Sequence, residues 1–373
     1  MLTHVWAKRR DMIVHEQDPY NAETSRAGLA DAITPMDAFY VRNHGSVPDV
    51  DPERWALTVD GLVNEPLRLS LTDLQRRWAP HSVIATMQCA GNRRAGFLEV
   101  RDISGEDPWG PGATSTAAWT GVRLGDVLRA AGIQDGARFV AFAAPDVSQL
   151  ASPAQPFGGS VDLAKAVSDE VLLAWSMNGQ PLPPVHGGPV RIVVPGYIGA
   201  RSVKWVDHIT VQAEPSDNWF QATAYRLLPA EADPDAAAPD EGIPLASVAL
   251  NADIIAPDGT HTVPAGPTTV SGYAYAGDDR RVTRVDVSLD EGRLWVQAAL
   301  DEPLSEWAWQ HWHAVLDLPP GDHTVTARAW DSSGASQPES PRHLWNPKGY
   351  INNSWARLRM RTTERTEVTT RSG

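Results

Sequence analysis

The stretch "PAEADPDAAAPDEG", residues 229–242, decides how this chain of 373 residues divides. It holds only small, acidic and proline residues, so it offers no apolar anchor to a helix or a strand and reads as a linker or a surface crossing. The pattern before it mixes helix and strand signals. The pattern after it contains strands alone.

Working upstream, "LTVDGLV" at residues 57–63 alternates apolar and polar residues and meets a turn at residues 64–66, which predicts a strand. "SLTDLQRRW" follows, with Ser70 or Thr72 placed to cap a short helix beginning near Asp73. In "LGDVLRAAGI", Leu124, Val127 and Leu128 repeat at helical spacing, and Gly132 stands where a helix stops. "ARFVAFAA" and "VRIVVPG" predict buried strands, the second leading into the glycine-bearing turn "PGYIGARSVKW". Such mixing reads as one large α+β domain.

Downstream, "VTRVDVSLDEGRLWVQAAL" puts Val285, Val287 and Leu289 on one face, turns at residues 290–292 and resumes as a strand through Trp295. "HAVLDLPPGDHTVTARAWD" repeats the design around residues 319–322. Hairpins at this spacing without helices predict a β-sandwich of immunoglobulin-like size. The expected division is an N-terminal extension at 1–35, an α+β domain at 36–228, the linker at 229–242, the sandwich at 243–362 and a tail at 363–373.

A formal charge of −14 and a pI near 5.2 argue against nucleic acid or anionic lipid as a general partner, since both are bound by broad basic surfaces. No run of 18 apolar residues is present, so no membrane span is expected. "WAKRRDMIVHEQD" has paired arginines but polar residues where an export signal needs its apolar region, which points to the cytoplasm. One cysteine excludes an internal disulfide.

That cysteine, Cys89 in "MQCAGNRRAG", follows a probable strand and precedes a glycine-bearing loop with Arg93 and Arg94. A buried apolar cysteine is the plain alternative. The arginines instead predict a lowered thiol pKa, and a thiolate is a nucleophile or a metal ligand. A nucleophile needs a base such as His44 or His186, yet sequence brings neither to the sulfur. No CxxC or paired histidine builds a zinc site, so a metal here takes its other ligands from a cofactor. Arg42, Arg94, Arg191, Arg201 and Lys204 all stand at strand ends or in glycine-bearing loops, and together in an acidic chain they predict a buried anion.

"FYVRNH", "QCAGNRR", "WSMNGQPLP" and "HGGPVRIVVPGYIGARSVKW" resemble, in order and spacing, the signature segments of the sulfite oxidase family of molybdenum enzymes. The resemblance extends over residues 35–360. It implies an α+β molybdopterin-binding domain followed by an immunoglobulin-like β-sandwich that pairs two chains into a homodimer. It implies a molybdenum ion with one molybdopterin, Cys89 as the protein ligand to the metal, and oxygen-atom transfer as the chemistry, with sulfite oxidised to sulfate. Tyr40, Val41, Arg42, Asn43 and His44, then Asp146, His186 and Arg191, and the turn Ser202, Val203 and Lys204 match the segments that carry the pterin and its phosphate. Arg42 and Arg94 match the arginines facing a small anionic substrate. Trp109 in "GEDPWG" matches a tryptophan of that pocket after a shift of one residue.

Two positions depart from the pattern. Sulfite-oxidising members carry a tyrosine before a Gly-Ala-Ser run; here "PFGGS" puts Phe157 there, and the expectation is a substrate pocket without that hydroxyl. Lys348 in "WNPKG" replaces a third arginine, keeping the charge and losing the planar fork. Forty-two residues before Asn43 are too few for a haem domain, so no haem is expected in this chain, and a separate acceptor, a cytochrome or oxygen, would take the electrons. The competing readings are a relative acting on another oxyanion or a sulfoxide, including nitrate reduction, a cofactor-binding protein with little turnover, and a cofactor-free cysteine hydrolase.

Overall fold

Alternation of apolar residues along the strands sets which face each sheet buries, and in the computed structural model, which describes residues 5–364, those faces enclose two main apolar cores. The α+β part is built on two five-stranded sheets. One carries the strands Gln180–Pro181, Leu172–Met177, Thr114–Arg123 and His81–Gln88 in that order, with Arg191–Val193 also paired to Leu172–Met177. In the other, His208–Gln212 lies parallel to Ala56–Gly61 and antiparallel to Phe139–Ser148, with Leu67–Ser70 and Gln155–Asp162 at the edges.

The helices are short. Leu71–Arg77 is opened by a reciprocal capping box between Ser70 and Asp73, so it starts two residues earlier than the apolar pattern suggested. Leu124–Ala131 buries Leu124, Val127 and Leu128 and stops at Gly132, whose φ of 74° a side chain would resist.

Residues 229–242 form turns along the surface, as their composition dictates. Beyond them a four-stranded and a five-stranded sheet face each other as the predicted sandwich. Gln310–Leu318 and Gly321–Asp331 do not form the expected hairpin: the turn at residues 319–320 carries the chain from the four-stranded sheet to the five-stranded one, because Val325, Ala327 and Ala329 are fully buried facing the opposite sheet. After the turn at residues 290–292 the strand is only Val296–Gln297, not a run through Trp295. Trp295 instead packs edge-on against Trp355 and under the Arg328 guanidinium, contacts that a flat strand could not offer it.

The two parts share packing. Tyr273, Tyr275 and Trp309 of the sandwich belong to the same apolar cluster as Leu57, Val140 and Ile209. The Tyr273 hydroxyl donates to the Pro111 carbonyl, which ties the sandwich to the loop after Trp109. At the other end of the chain, Ile13–Gln17 and Tyr20–Glu23 form a hairpin whose Ala22 exchanges backbone hydrogen bonds with Val41.

Candidate functional site

The strand His81–Gln88 pairs in register with Thr114–Arg123, and the ladder continues by one bond, Cys89 N–H to the Ala113 carbonyl at 2.9 Å. Cys89 therefore sits on a rigid strand end. The chain then turns through Arg93, whose φ of 64° is left-handed. Gly91 N–H donates to the Cys89 sulfur at 3.4 Å. A Cβ on Gly91 would lie 2.7 Å from the Arg94 guanidinium carbon, so a side chain there would displace that guanidinium from the turn.

Cys89 lines a cleft of about 640 Å³, counting its open mouth. Of the residues matched to the pterin segments, Tyr40, Val41, Arg42, Asn43, His44, Asp146, His186, Arg191, Ser202 and Lys204 line it too. Val203 does not; it is buried in the apolar core beneath the turn. Arg191 reaches the cleft from a strand, with its guanidinium held by the His186 and Ser202 carbonyls, each at 2.9 Å. Lys204 donates to the Asn43 side-chain oxygen and to the Val185 carbonyl. Arg42 donates to the Asn43 carbonyl.

Electrostatically the cleft is a nest of cations. Among the described residues, Arg42, Arg191 and Lys204 have no carboxylate within ion-pair distance. Burial pushes the Lys204 ammonium well down, and the Arg191 guanidinium next to it adds to the effect. Arg191 is pulled down to about 10 by burial. Burial and the neighbouring Arg42 and Lys204 hold the His44 imidazole well below its ordinary range, and burial with Lys8, Lys204 and Arg191 does the same to His186. Asp146 is raised by burial against the pull of Lys204, and its Oδ1 has no hydrogen-bond partner. Cations that lose solvation and find no anion are costly, and a bound anion removes that cost.

Several expectations need correction. Arg93 does not face the thiol: its guanidinium pairs with Asp253 at 2.9 Å and donates to the Ser354 carbonyl at 2.7 Å. Nor is the thiol pKa lowered. Burial raises it, and the opposing pull of Arg94 and Arg42 does not overcome desolvation. Arg201 turns away from the cleft to the Leu245 carbonyl and the Gln221 side chain. Arg94, Trp109 and Lys348 stand behind the cleft wall; Trp109 is fully buried, edge-on to His15 at 4.6 Å.

Position 157 offers the cleft no hydroxyl, yet the cleft does not lack a phenol. Phe157 does line it, stacked on His44 at 4.3 Å, but Tyr225 lines it as well, with its hydroxyl 2.6 Å from His44 Nε2. Tyr225 follows the helical turn Phe220–Ala224 in "FQATAYRLL", a segment with no glycine or charge pattern to flag it. Lys8 was missed too. Its ammonium lies 2.6 Å from His186 Nε2 and donates to the Met36 and Phe39 carbonyls, and burial lowers its pKa to about 7.

A family model for the oxidoreductase molybdopterin binding domain matches residues 44–220, and one for the Mo-co oxidoreductase dimerisation domain matches residues 244–363. The chain thus joins the catalytic domain of a molybdopterin oxidoreductase to that class's dimerisation domain. Sulfite oxidase of Arabidopsis thaliana is 37% identical over 370 residues, covering 93% of each chain. Mitochondrial sulfite oxidase of Macaca fascicularis is 38% identical over 357 residues, covering 92% of this chain but 65% of that longer protein. The crystal structure of the sulfane dehydrogenase SoxCD from Paracoccus pantotrophus superposes with a TM-score of 0.80 at 26% identity, covering 95% of this chain and 90% of that one. This chain belongs to the sulfite oxidase family and is a molybdenum-dependent oxidoreductase.

The residues present fit the molybdenum–molybdopterin group. A buried thiol at a strand end suits a soft, redox-active metal. Unpaired Arg191 and Lys204 suit a phosphate, and the partnerless Asp146 oxygen, with the neutral imidazoles, suits the hydrogen-bonding edge of a pterin.

Proposed function

We propose that this chain oxidises sulfite to sulfate: sulfur gains one oxygen taken ultimately from water, and two electrons and two protons leave. The observation that carries the proposal is the meeting of the Cys89 thiol, the Arg42 guanidinium and the Tyr225 hydroxyl in a cleft of uncompensated positive charge. When bound, the molybdenum–pterin group supplies the oxygen-atom transfer and the redox change. Cys89 would ligate the metal. His186, Arg191, Ser202 and Lys204, with Tyr40, Val41, Asn43 and Asp146, would hold the pterin and its phosphate. Arg42 presents a planar fork that grips an oxyanion at two points and stays charged at every working pH. Tyr225, oriented by His44, can donate one hydrogen bond to an oxygen of the substrate. Phe157 keeps the His44 ring in its plane by stacking.

The sandwich supports a homodimer, and electrons would pass to a separate acceptor, a cytochrome or oxygen. The single unpaired thiol in 373 residues supports the cytoplasm as the compartment. Among the described residues no helix is long and apolar enough to cross a membrane. The test is elemental analysis followed by sulfite-dependent reduction of ferricyanide on the same sample. The proposal expects about one molybdenum per chain, as one thiolate site allows, together with turnover. Bound molybdenum without turnover of sulfite would refute the substrate and leave the cofactor in place.

A further inference from the structure

Arg94 cannot serve an incoming anion as it stands. Its Nε donates to the Lys348 carbonyl at 3.0 Å and the Gly349 carbonyl at 3.3 Å, and its Nη1 donates to the Asp107 carbonyl at 2.9 Å. Its Nη2 pairs with Glu106 Oε2 at 3.2 Å. The other oxygen of the same carboxylate, Oε1, lies 3.9 Å from Lys348 Nζ. Glu106 thus bridges two cations with its two oxygens, the arrangement a tetrahedral or trigonal oxyanion would take between them.

The bridge stands directly behind the cleft. The Arg94 guanidinium lies over the Tyr350 ring at 5.3 Å, and Tyr350 stacks on Tyr225 of the cleft at 5.5 Å. Charge on Glu106 is felt by Arg42, Cys89 and Tyr225 alike. The carboxylate sits in the irregular segment "GEDPWG" between the helical turn Arg94–Glu99 and the strand Thr114–Arg123, and its side chain is 16% exposed. The backbone beside it is pinned, since the Asp107, Trp109 and Gly110 carbonyls accept from Arg94, Ala95 and Arg93, so the carboxylate leaves the cations by a swing of its own side chain.

We propose that Glu106 is a specificity-determining residue, an internal carboxylate that occupies the anion seat between Arg94 and Lys348 and must be displaced before a doubly charged oxyanion binds there. It leaves Arg42 as the cleft's freely available fork and tilts selection toward substrates of lower charge. This inference rests on the reading of the cleft as an oxyanion site.

The test is calorimetric binding of sulfate, which does not react further, to the molybdenum-loaded protein and to its Glu106→Gln variant. Removing the competing charge should tighten sulfate roughly two- to fivefold, the scale of a partly exposed ion pair. In steady-state assays the same variant should lower KM for sulfite with kcat little changed. Glu106→Asp, which keeps the charge, should bind sulfate as the wild type does. A purely structural glutamate predicts the opposite, equal or weaker sulfate binding in Glu106→Gln, and that result overturns the inference. Should the variant not fold, hydrogen exchange on the wild type decides. Saturating sulfate should speed exchange at the Trp109 amide, which donates to the Asp107 carbonyl beside Glu106, and an unchanged rate overturns the proposal. Absence of sulfite turnover by the wild type would remove the substrate reading alone, because the ratio of sulfate affinities still decides the role of Glu106.

Discussion

Tyr225 carries the most direct residue-scale prediction. Its hydroxyl is the one phenol oxygen bonded to a cleft histidine among the described residues, so on the proposed sulfite chemistry Tyr225→Phe removes a hydrogen bond to a charged substrate. Such bonds contribute about 1.5 to 3 kcal/mol, or on the order of ten- to a hundredfold in turnover, while metal content should stay unchanged. Equal turnover in wild type and variant would remove Tyr225 from the chemistry. Cys89→Ser should lose turnover and bind molybdenum more weakly, since a hydroxyl is a poor ligand for a soft metal. At this scale the sequence was readable where a residue carries rare chemistry: the lone cysteine, and basic residues in glycine turns. It was silent on Tyr225 and Glu106, because a tyrosine after "QATA" and an acid in "GEDPWG" acquire meaning only when folding sets one against His44 and the other between Arg94 and Lys348. Arg93 and Arg94 show the same limit. They are neighbours in sequence, yet a left-handed turn sends one to Asp253 and the other over Tyr350.

At the scale of elements, the N-terminal segment packs against a residue of the cleft. Lys8 is buried against His186, and its pKa falls to about 7 from an ordinary value of 10.5. The unfolded chain therefore binds more protons than the folded one between those values, and stability rises with pH across that window. Lys8 contributes no penalty above about pH 10.5, and the penalty grows as pH falls toward 7. Chemical denaturation of the cofactor-free protein at pH 7.5 and 9.5 should show this slope, and Lys8→Met should flatten it; an unchanged slope would place the cost elsewhere. Most elements were legible because they carry their own punctuation, such as the Ser70 capping box and Gly132. The strand expected through Trp295 was not, because the indole is claimed by Trp355 and Arg328, residues distant in sequence.

Across the whole molecule, the linker composition was enough to separate an α+β part from a sandwich, but not to show that they share a core. Tyr273 and Trp309 bring the sandwich under the cleft, and the segment carrying Lys348 returns from the sandwich side to meet Arg94. The two parts should consequently unfold together: a single cooperative transition is expected by calorimetry, and Tyr273→Phe, which cuts the bond to Pro111, should cost about 1 kcal/mol, felt by both parts. Two separated transitions in the wild type would show that the shared core is not energetically binding. The central claim concerns the metal, and X-ray absorption at the molybdenum edge of the purified protein addresses it most directly. The account predicts a dithiolene pair plus one further sulfur neighbour in the wild type, with that further sulfur missing in whatever molybdenum Cys89→Ser retains. A wild-type protein with no molybdenum, or with the same sulfur shell as the variant, would contradict it.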